Sequence, residues 1–239
     1  MSGHSKWSTI KRQKGAADVK RGQAFTKISN AITIAVKQGG GVSDPDSNPR
    51  LRIAIDAARK VNMPKDNIER AIQRAQHKGE GGVEEVVYEG FIPGGAGVIV
   101  EAVTDNPNRT TSEIKNLFGK FGASLARPGA VSYQFANVGE ITVLKNTKSM
   151  DEMLMIAADA GAEDVSEDSE AFTIYTNPHE LNKVKESLEK QGISVEEAFL
   201  SKKAVTNISL DPGKEEGIIN FLQSLENLDD VQKVYTNIS

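Results

Sequence analysis

Within the first 37 residues Lys6, Lys11, Arg12, Lys14, Lys20, Arg21, Lys27 and Lys37 are set against a single acid, Asp18. Ammonium and guanidinium groups at this density neutralise phosphates and release the counterions around them, so the chemistry they offer is polyanion binding. Trp7 follows Lys6 and is the only tryptophan of the chain. Its indole either stacks on an unpaired base or anchors the segment to an apolar surface. A further cation, Arg109, lies in Asp105-Asn106-Pro107-Asn108-Arg109-Thr110, where a strand feeds a helix and Asn108 is the expected N-cap. An arginine there, helped by the free N–H groups of the first helical turn, can hold a phosphate or a carboxylate. The alternative is a capped turn whose arginine simply faces water. Arg50, Arg52, Arg59, Lys60, Lys65, Arg70 and Arg74 carry the positive charge onward. Several of these alternate with Asp56, Asp66 and Glu69, as ordinary i,i+4 helix pairs do.

Catalytic chemistry has little to build on. His4, His77 and His179 are isolated, and no cysteine exists to act as nucleophile, thiolate ligand or disulfide partner. No GxSxG, HExxH or GxxxxGK[ST] string occurs. The acids of Glu84-Glu85 and Glu196-Glu197 are adjacent, which sends them to opposite faces of a strand. Pro93-Gly94-Gly95-Ala96-Gly97 precedes a strand instead of following one and is read as a turn. The expectation is a non-enzymatic protein with no cofactor, no metal and no small-molecule substrate.

The elements that must position these cations follow from periodicity. Phe25, Ile28, Ile32 and Ala35 recur at helical spacing over about 16–38, and Gly39-Gly40-Gly41 ends the run. Lys20, Lys27, Asn30 and Lys37 fall off that apolar stripe and are expected to face outward together. A second helix starts at Asn48-Pro49 with Leu51, Ala54, Ile55, Ala58 and Val61 inward, and a third carries Ile68, Ile72 and Ala75. These make a small bundle. The tight Asn62-Met63-Pro64 connection and the absence of a base-reading run at the start of the third helix speak against a helix-turn-helix.

After the GEGG hinge at 79–82 the pattern changes to strands alternating with helices. Strands are expected at 97–104, 130–135 and 140–145, near 162–167 and 171–176, in 194–201, at 204–210 and at 231–238. Helices are expected at 108–122, 150–160, 178–191 and 212–226. Residues 138–201 form a complete β-α-β-β-α-β unit. The βαβ halves on either side pair into a second unit, because each alone would leave an open edge and half a core. One continuous sheet over 85–239 is the alternative. The fold class is therefore α+β: a three-helix N-terminal domain and two ferredoxin-like α/β domains, one inserted in the other. The expected division is 1–80 for the basic arm and bundle, 81–136 plus 203–239 for one α/β domain, and 137–202 for the inserted acidic one.

Charge is divided along the chain. Residues 1–80 hold 16 basic and 7 acidic groups, whereas the remainder holds 13 and 26. The basic end is thus +9 within a chain of net charge −4. No apolar run reaches the roughly 18 residues that span a bilayer, and no signal-peptide core is present. With no cysteine, a cytoplasmic location is expected. Residues 146–170 contain eight acids and one base, Lys148. This stretch either solubilises the inserted unit or meets a basic protein.

Several strings carry a family resemblance. GHSKW (3–7), IKRQKGAADVKRGQAFTKI (10–28), DPDSNPRLRIAIDAARKVNMPKDNIERAI (44–72), YEGFIPGGAGVIVEAVTDN (88–106) and NRT (108–110) closely resemble the YebC/PmpR family. The likeness is dense over 1–136 and consistent in order to the end. It implies three domains, no enzymatic activity and no cofactor, and a cytoplasmic DNA-binding transcriptional regulator. Relatives that include a mitochondrial translational activator of cytochrome oxidase work on ribosomes. The family's basic pattern maps onto Lys6, Lys11, Lys14, Lys20, Arg21 and Lys27, and its loop arginine onto Arg109. Asn30-Ala31 stands where many relatives have Arg-Glu, and Ala126 and Ala130 replace a common Gly and Ser.

Two readings result. The first is a DNA-binding transcriptional regulator that grips phosphates through Lys6, Trp7, Lys11, Arg12, Lys14, Lys20, Arg21, Lys27 and Arg109. The alternative is a ribosome-associated translation factor that binds rRNA or tRNA and relieves stalls, including those at proline-rich stretches. Either is expected to act as a monomer away from membranes.

Overall fold

Helical spacing of apolar residues makes Arg21–Gln38 a helix, α1, around which the N-terminal bundle is built. A computed structural model of the chain describes residues 21–76, 83–145, 148–210 and 212–239. Ile32, Ala35 and Val36 of α1 pack with Leu51, Ala54, Ile55 and Ala58 of α2 (Pro49–Lys60) and with Ala71 of α3 (Lys65–Gln76). Asn48 caps α2, accepting from the Leu51 amide at 3.1 Å, and Pro49 takes the first helical position. The same side chain donates to the Ala35 and Val42 carbonyls at 2.9 and 3.0 Å, fastening α1 to α2. Gly39 leaves room for it: a Cβ there would lie 2.3 Å from Asn48 Nδ2. Helices α2 and α3 each pack chiefly on α1, not on one another. They do not form the mutually packed pair of a helix-turn-helix.

Strands β1 (Glu84–Phe91), β2 (Gly97–Thr104), β3 (Ser124–Ala126) and β8 (Val231–Thr236) form an antiparallel sheet in the order β3-β1-β2-β8. Nearly every residue of β2 is buried, as expected of a strand covered on both faces. Helices α4 (Pro107–Lys120) and α7 (Glu215–Glu226) meet through Phe118 and Phe221, edge to face at 5.1 Å. Gly90 lets Phe118 close onto the sheet, since a Cβ there would sit 2.4 Å from the ring.

A second antiparallel sheet contains β4 (Phe135–Leu144), β5 (Asp164–Glu167), β6 (Ala171–Thr176) and β7 (Glu197–Ala204), ordered β5-β6-β4-β7. With α5 (Met150–Ala160) and α6 (Leu181–Lys190) it completes a β-α-β-β-α-β unit of ferredoxin-like order. Helix α5 has a full capping box between Ser149 and Glu152 and ends on left-handed Gly161. The chain is thus α+β, with seven helices and two four-stranded sheets among the described residues. The second sheet lies in sequence between β3 and α7 of the first unit. Contacts divide the described residues into two compact units, 21–132 with 209–236 and 133–208 with 237–239.

Three expected local features are corrected. Of the strand expected at 130–135 only Phe135 is in one: Ser132–Gln134 form a single 3-10 turn, and Phe135 begins the long β4. Residues 204–210 yield no strand beyond β7's last residue, only a parallel bridge from Ile208 to Ile238. The sheet position that 204–210 was expected to fill is taken by β1. The first sheet therefore repeats the spatial order of the second with its chain order permuted. Finally, α4 is capped by Asn106, not Asn108, with the Asn106 side chain accepting from the Arg109 amide at 3.1 Å. Pro107 then sits at the first helical turn, where a missing N–H does no harm.

Candidate nucleic-acid interface

Of the expected contact residues, Lys6, Trp7, Lys11, Arg12, Lys14 and Lys20 lie outside the described residues. Arg21 is the first residue of α1. Lys27 and Arg109 are well placed in the fold, at opposite ends of the segment 226–230.

The outward-facing row on α1 meets the first α/β domain. Lys27 donates to the Glu226 carbonyl at the C-terminal end of α7, where the helix dipole favours a cation. Gln23 donates to the Asn227 carbonyl at 3.3 Å, Asn30 to Val103 at 3.4 Å, and Lys37 to Val83 at 3.0 Å. The row does leave the bundle core, as the periodicity implied. However, it turns onto the neighbouring sheet instead of wholly into water. Asn30 is buried there, and it also accepts from Arg74 at 3.0 Å. An amide at position 30 serves this junction with one donor and one acceptor, a task a cation could not perform.

Arg109 is set by the Asn106 cap and reaches Asp230 at 2.8 Å and Asp105 at 3.1 Å, both through Nη2. Asp230 is the hub. Its Oδ2 also accepts from Thr110 at 2.6 Å and Thr104 at 3.1 Å, joining β2, α4 and the turn before β8. Burial alone would raise the Asp230 carboxyl. Bonds from Arg109, Thr110 and Thr104 outweigh it and hold the group below the ordinary aspartate range. The hydrogen bond and charge of Asp230, followed by those of Asp105, raise the pKa of the Arg109 guanidinium. Arg109 remains 46% exposed, and its Nη1 and Nε edge makes no bond among the described residues.

A cleft of about 460 Å³ lies between α1 and this corner, lined by Gln23, Asn30, Arg74, Arg109, Asp105, Glu113, Asp229 and Asp230, among others. Four carboxylates against two guanidiniums make it unsuited to phosphate. Among the described residues no group of three or more His, Asp or Glu side chains is placed to hold a metal ion. No helix among them is long and apolar enough to cross a membrane.

The exposed cations of the bundle are freer. Among the described residues Arg50 bonds only to the Gln38 amide, and Arg70 to Asn67 and the Asp66 carbonyl, whereas Arg52, Arg59 and Lys65 pair with Asp46, Asp56 and Glu69. Lys60 is exposed and has no partner among the described residues. Sequence reasoning missed Asp230 and Glu89. Glu89 is a buried carboxylate that accepts from the Gly129, Val131 and Ser132 amides and so fixes the loop 127–132. Nothing local in the sequence marks either acid, because their partners lie about forty residues away or more.

Two family models match this chain: the TACO1/YebC protein N-terminal domain over residues 5–78, and the TACO1/YebC second and third domain over 83–238. The chain is 47% identical over 238 residues to a "Probable transcriptional regulatory protein" of Desulfatibacillum aliphaticivorans, covering 99% of this chain and 96% of that one. It is 49% identical over 240 residues to a protein of the same description from Sulfurihydrogenibium, covering 99% and 95%. A crystal structure of a conserved hypothetical protein from Aquifex aeolicus superposes with a TM-score of 0.89 at 44% identity, covering 98% of this chain and 97% of that one. Matching models over both parts of the chain, full-length relatives named as regulators and a similar solved structure at 44% identity agree: the chain belongs to the TACO1/YebC family.

Proposed function

We propose that this protein is a non-enzymatic regulator of gene expression that binds nucleic acid in the cytoplasm, as a DNA-binding transcriptional regulator of the YebC type. The observation that carries the reading is the segregation of charge between folded units. Residues 21–76 hold ten basic and five acidic side chains, a net of +5. Residues 133–208 hold seven and fourteen, a net of −7. Fields this different steer a polyanion to one part of the molecule and away from the other. Residues 1–80 then serve as the gripping module, with 81–136 plus 203–239 as its support and 137–202 as a unit held off the phosphates. Lys6, Trp7, Lys11, Arg12, Lys14, Lys20 and Arg21 supply the contacts, whereas Arg109, paired with Asp230 and Asp105 in an acidic cleft, serves the fold before it serves a phosphate. Lys27 acts mainly as the fastener of α1. The relatives' regulator names support the general role.

A second reading, a ribosome-associated factor that binds rRNA or tRNA, is favoured by one feature: α2 and α3 do not pack as a helix-turn-helix, so duplex sequence has no evident reader. Co-sedimentation with purified ribosomes, with duplex DNA as competitor, separates the two. Protein that stays with ribosomes despite the DNA, and is released by the Lys11→Glu, Lys14→Glu, Lys20→Glu variant, selects the ribosome. Protein stripped by modest DNA selects transcription. Unchanged binding of the triple variant to both would remove the cationic module from either account.

A further inference from the structure

We propose that the solvent face of α5 is a docking surface for a basic polypeptide, a lysine- or arginine-rich protein segment with an apolar centre. The proposal goes beyond nucleic-acid binding and does not depend on it. Helix α5 buries Met153, Ala157 and Ala160. At 100° per residue this leaves Asp151, Leu154, Met155, Ala158 and Asp159 around the outward side. Met155 lies almost opposite the buried stripe and is 70% exposed, and Leu154 beside it is 45% exposed. An amphipathic surface helix normally places charge there. A methionine next to a leucine instead offers a deformable apolar ridge, the kind that adapts to varied partners.

The rim of the ridge sets the partner's charge. Asp151, Glu152 and Asp159 flank it, all exposed, and α5 has no basic residue. Glu152 is used in the capping box, whereas Asp151 and Asp159 make no bond among the described residues. An apolar centre within a polar rim is the usual anatomy of a protein interface. The unit's net charge of −7 repels nucleic acid and anionic lipid alike and attracts a basic chain. A second copy of this protein fits less well. The described residues of its basic bundle expose one large apolar side chain, Val42, so they offer charge without a floor for Leu154 and Met155.

The test is an NMR titration of the full-length, ¹⁵N-labelled protein with a synthetic amphipathic helix of leucine and lysine. A peptide with serine in place of leucine serves as the charge-only control. Shift changes are expected to gather on residues 150–160. Leu154→Lys with Met155→Lys is expected to weaken binding at least about tenfold, the scale of losing a central apolar anchor. Leu144→Lys, exposed in the same unit, is expected to leave it unchanged. The outward positions of Leu154 and Met155 should keep the rest of the spectrum in place, which verifies folding. Equal affinity for the serine peptide, changes scattered over the acidic surface, or an unaffected double variant would overturn the proposal. So would concentration-dependent shifts at 150–160 without peptide, which would assign the face to a second copy.

Discussion

The Gly129, Val131 and Ser132 amides reach the buried Glu89 carboxylate at 2.8, 2.6 and 3.0 Å. Burial alone would raise its pKa, and these three backbone bonds together carry it below the ordinary glutamate value. A group whose folded pKa is depressed lends stability above its unfolded pKa and loses it as pH falls through the folded one. Protection of the 127–132 amides against hydrogen exchange, corrected for intrinsic rates, should therefore hold at neutral pH and fall only below the usual glutamate range. Glu89→Gln presents an NH₂ group to donors. It should lower that protection at neutral pH by roughly 2 kcal/mol and flatten its acid dependence; unchanged protection would refute the clamp. The Asp230 hub allows a similar ranking. Arg109→Ala removes a half-exposed cation whose ion pairs are screened by solvent, so it should cost little. Asp230→Ala also takes the shared acceptor away from two buried threonine hydroxyls, leaving them only each other and the Asn106 backbone, and should cost about 3 kcal/mol. Thermal melting of the two variants checks the order, and the reverse order would make Arg109, not Asp230, the organising residue.

At the scale of elements, helices were the easier reading. Each carried its signal within a few residues: Asn48-Pro49 at the start of α2, Ser149 with Glu152 and Gly161 around α5. Strand β2 and the α5–β6 run were also legible from composition. Apart from the α4 cap, which shifted by two residues to Asn106, what failed depended on partners distant in the chain. Residues 204–210 have strand-like composition, yet Val205 is 70% exposed and the sheet slot goes to β1, more than a hundred residues earlier. Choosing between two sequences for one slot is a tertiary decision, outside the reach of β propensity. The same limit hid the destination of the α1 face. Periodicity placed Lys27, Asn30 and Lys37 on one side but could not show that carbonyls of Glu226, Val103 and Val83 await them. Close packing at Gly90 was equally silent. A methyl group there would meet Phe118, so Gly90→Ala should destabilise the first α/β domain by about 2 kcal/mol, measured by its exchange-protected amides. A neutral outcome would mean that the Phe118 ring and the Ser124 carbonyl, 2.5 Å from such a Cβ, both move without loss.

For the whole molecule the question is which cations act outward. Lys27 and Lys37 count toward the bundle's formal charge of ten bases against five acids, but each donates to a carbonyl across the seam with the first α/β domain. Arg50, Lys60 and Arg70 are exposed and carry no carboxylate partner among the described residues. Salt dependence distinguishes the two sets, because each phosphate contact contributes about one unit to the slope of log K against log salt. If the bundle surface touches the polyanion, Arg50→Gln, Lys60→Gln and Arg70→Gln should each lower the slope by about one unit. Lys27→Met should leave the slope unchanged while loosening the seam, seen as faster exchange of the Asn227 and Leu228 amides. Slopes untouched by all four changes would remove Arg50, Lys60 and Arg70 from phosphate contact and leave it to Arg21 and the residues before it, which the bundle would then present. A smaller slope in Lys27→Met alone would show that nucleic acid displaces the Glu226 carbonyl from the ammonium, making the seam part of the binding surface.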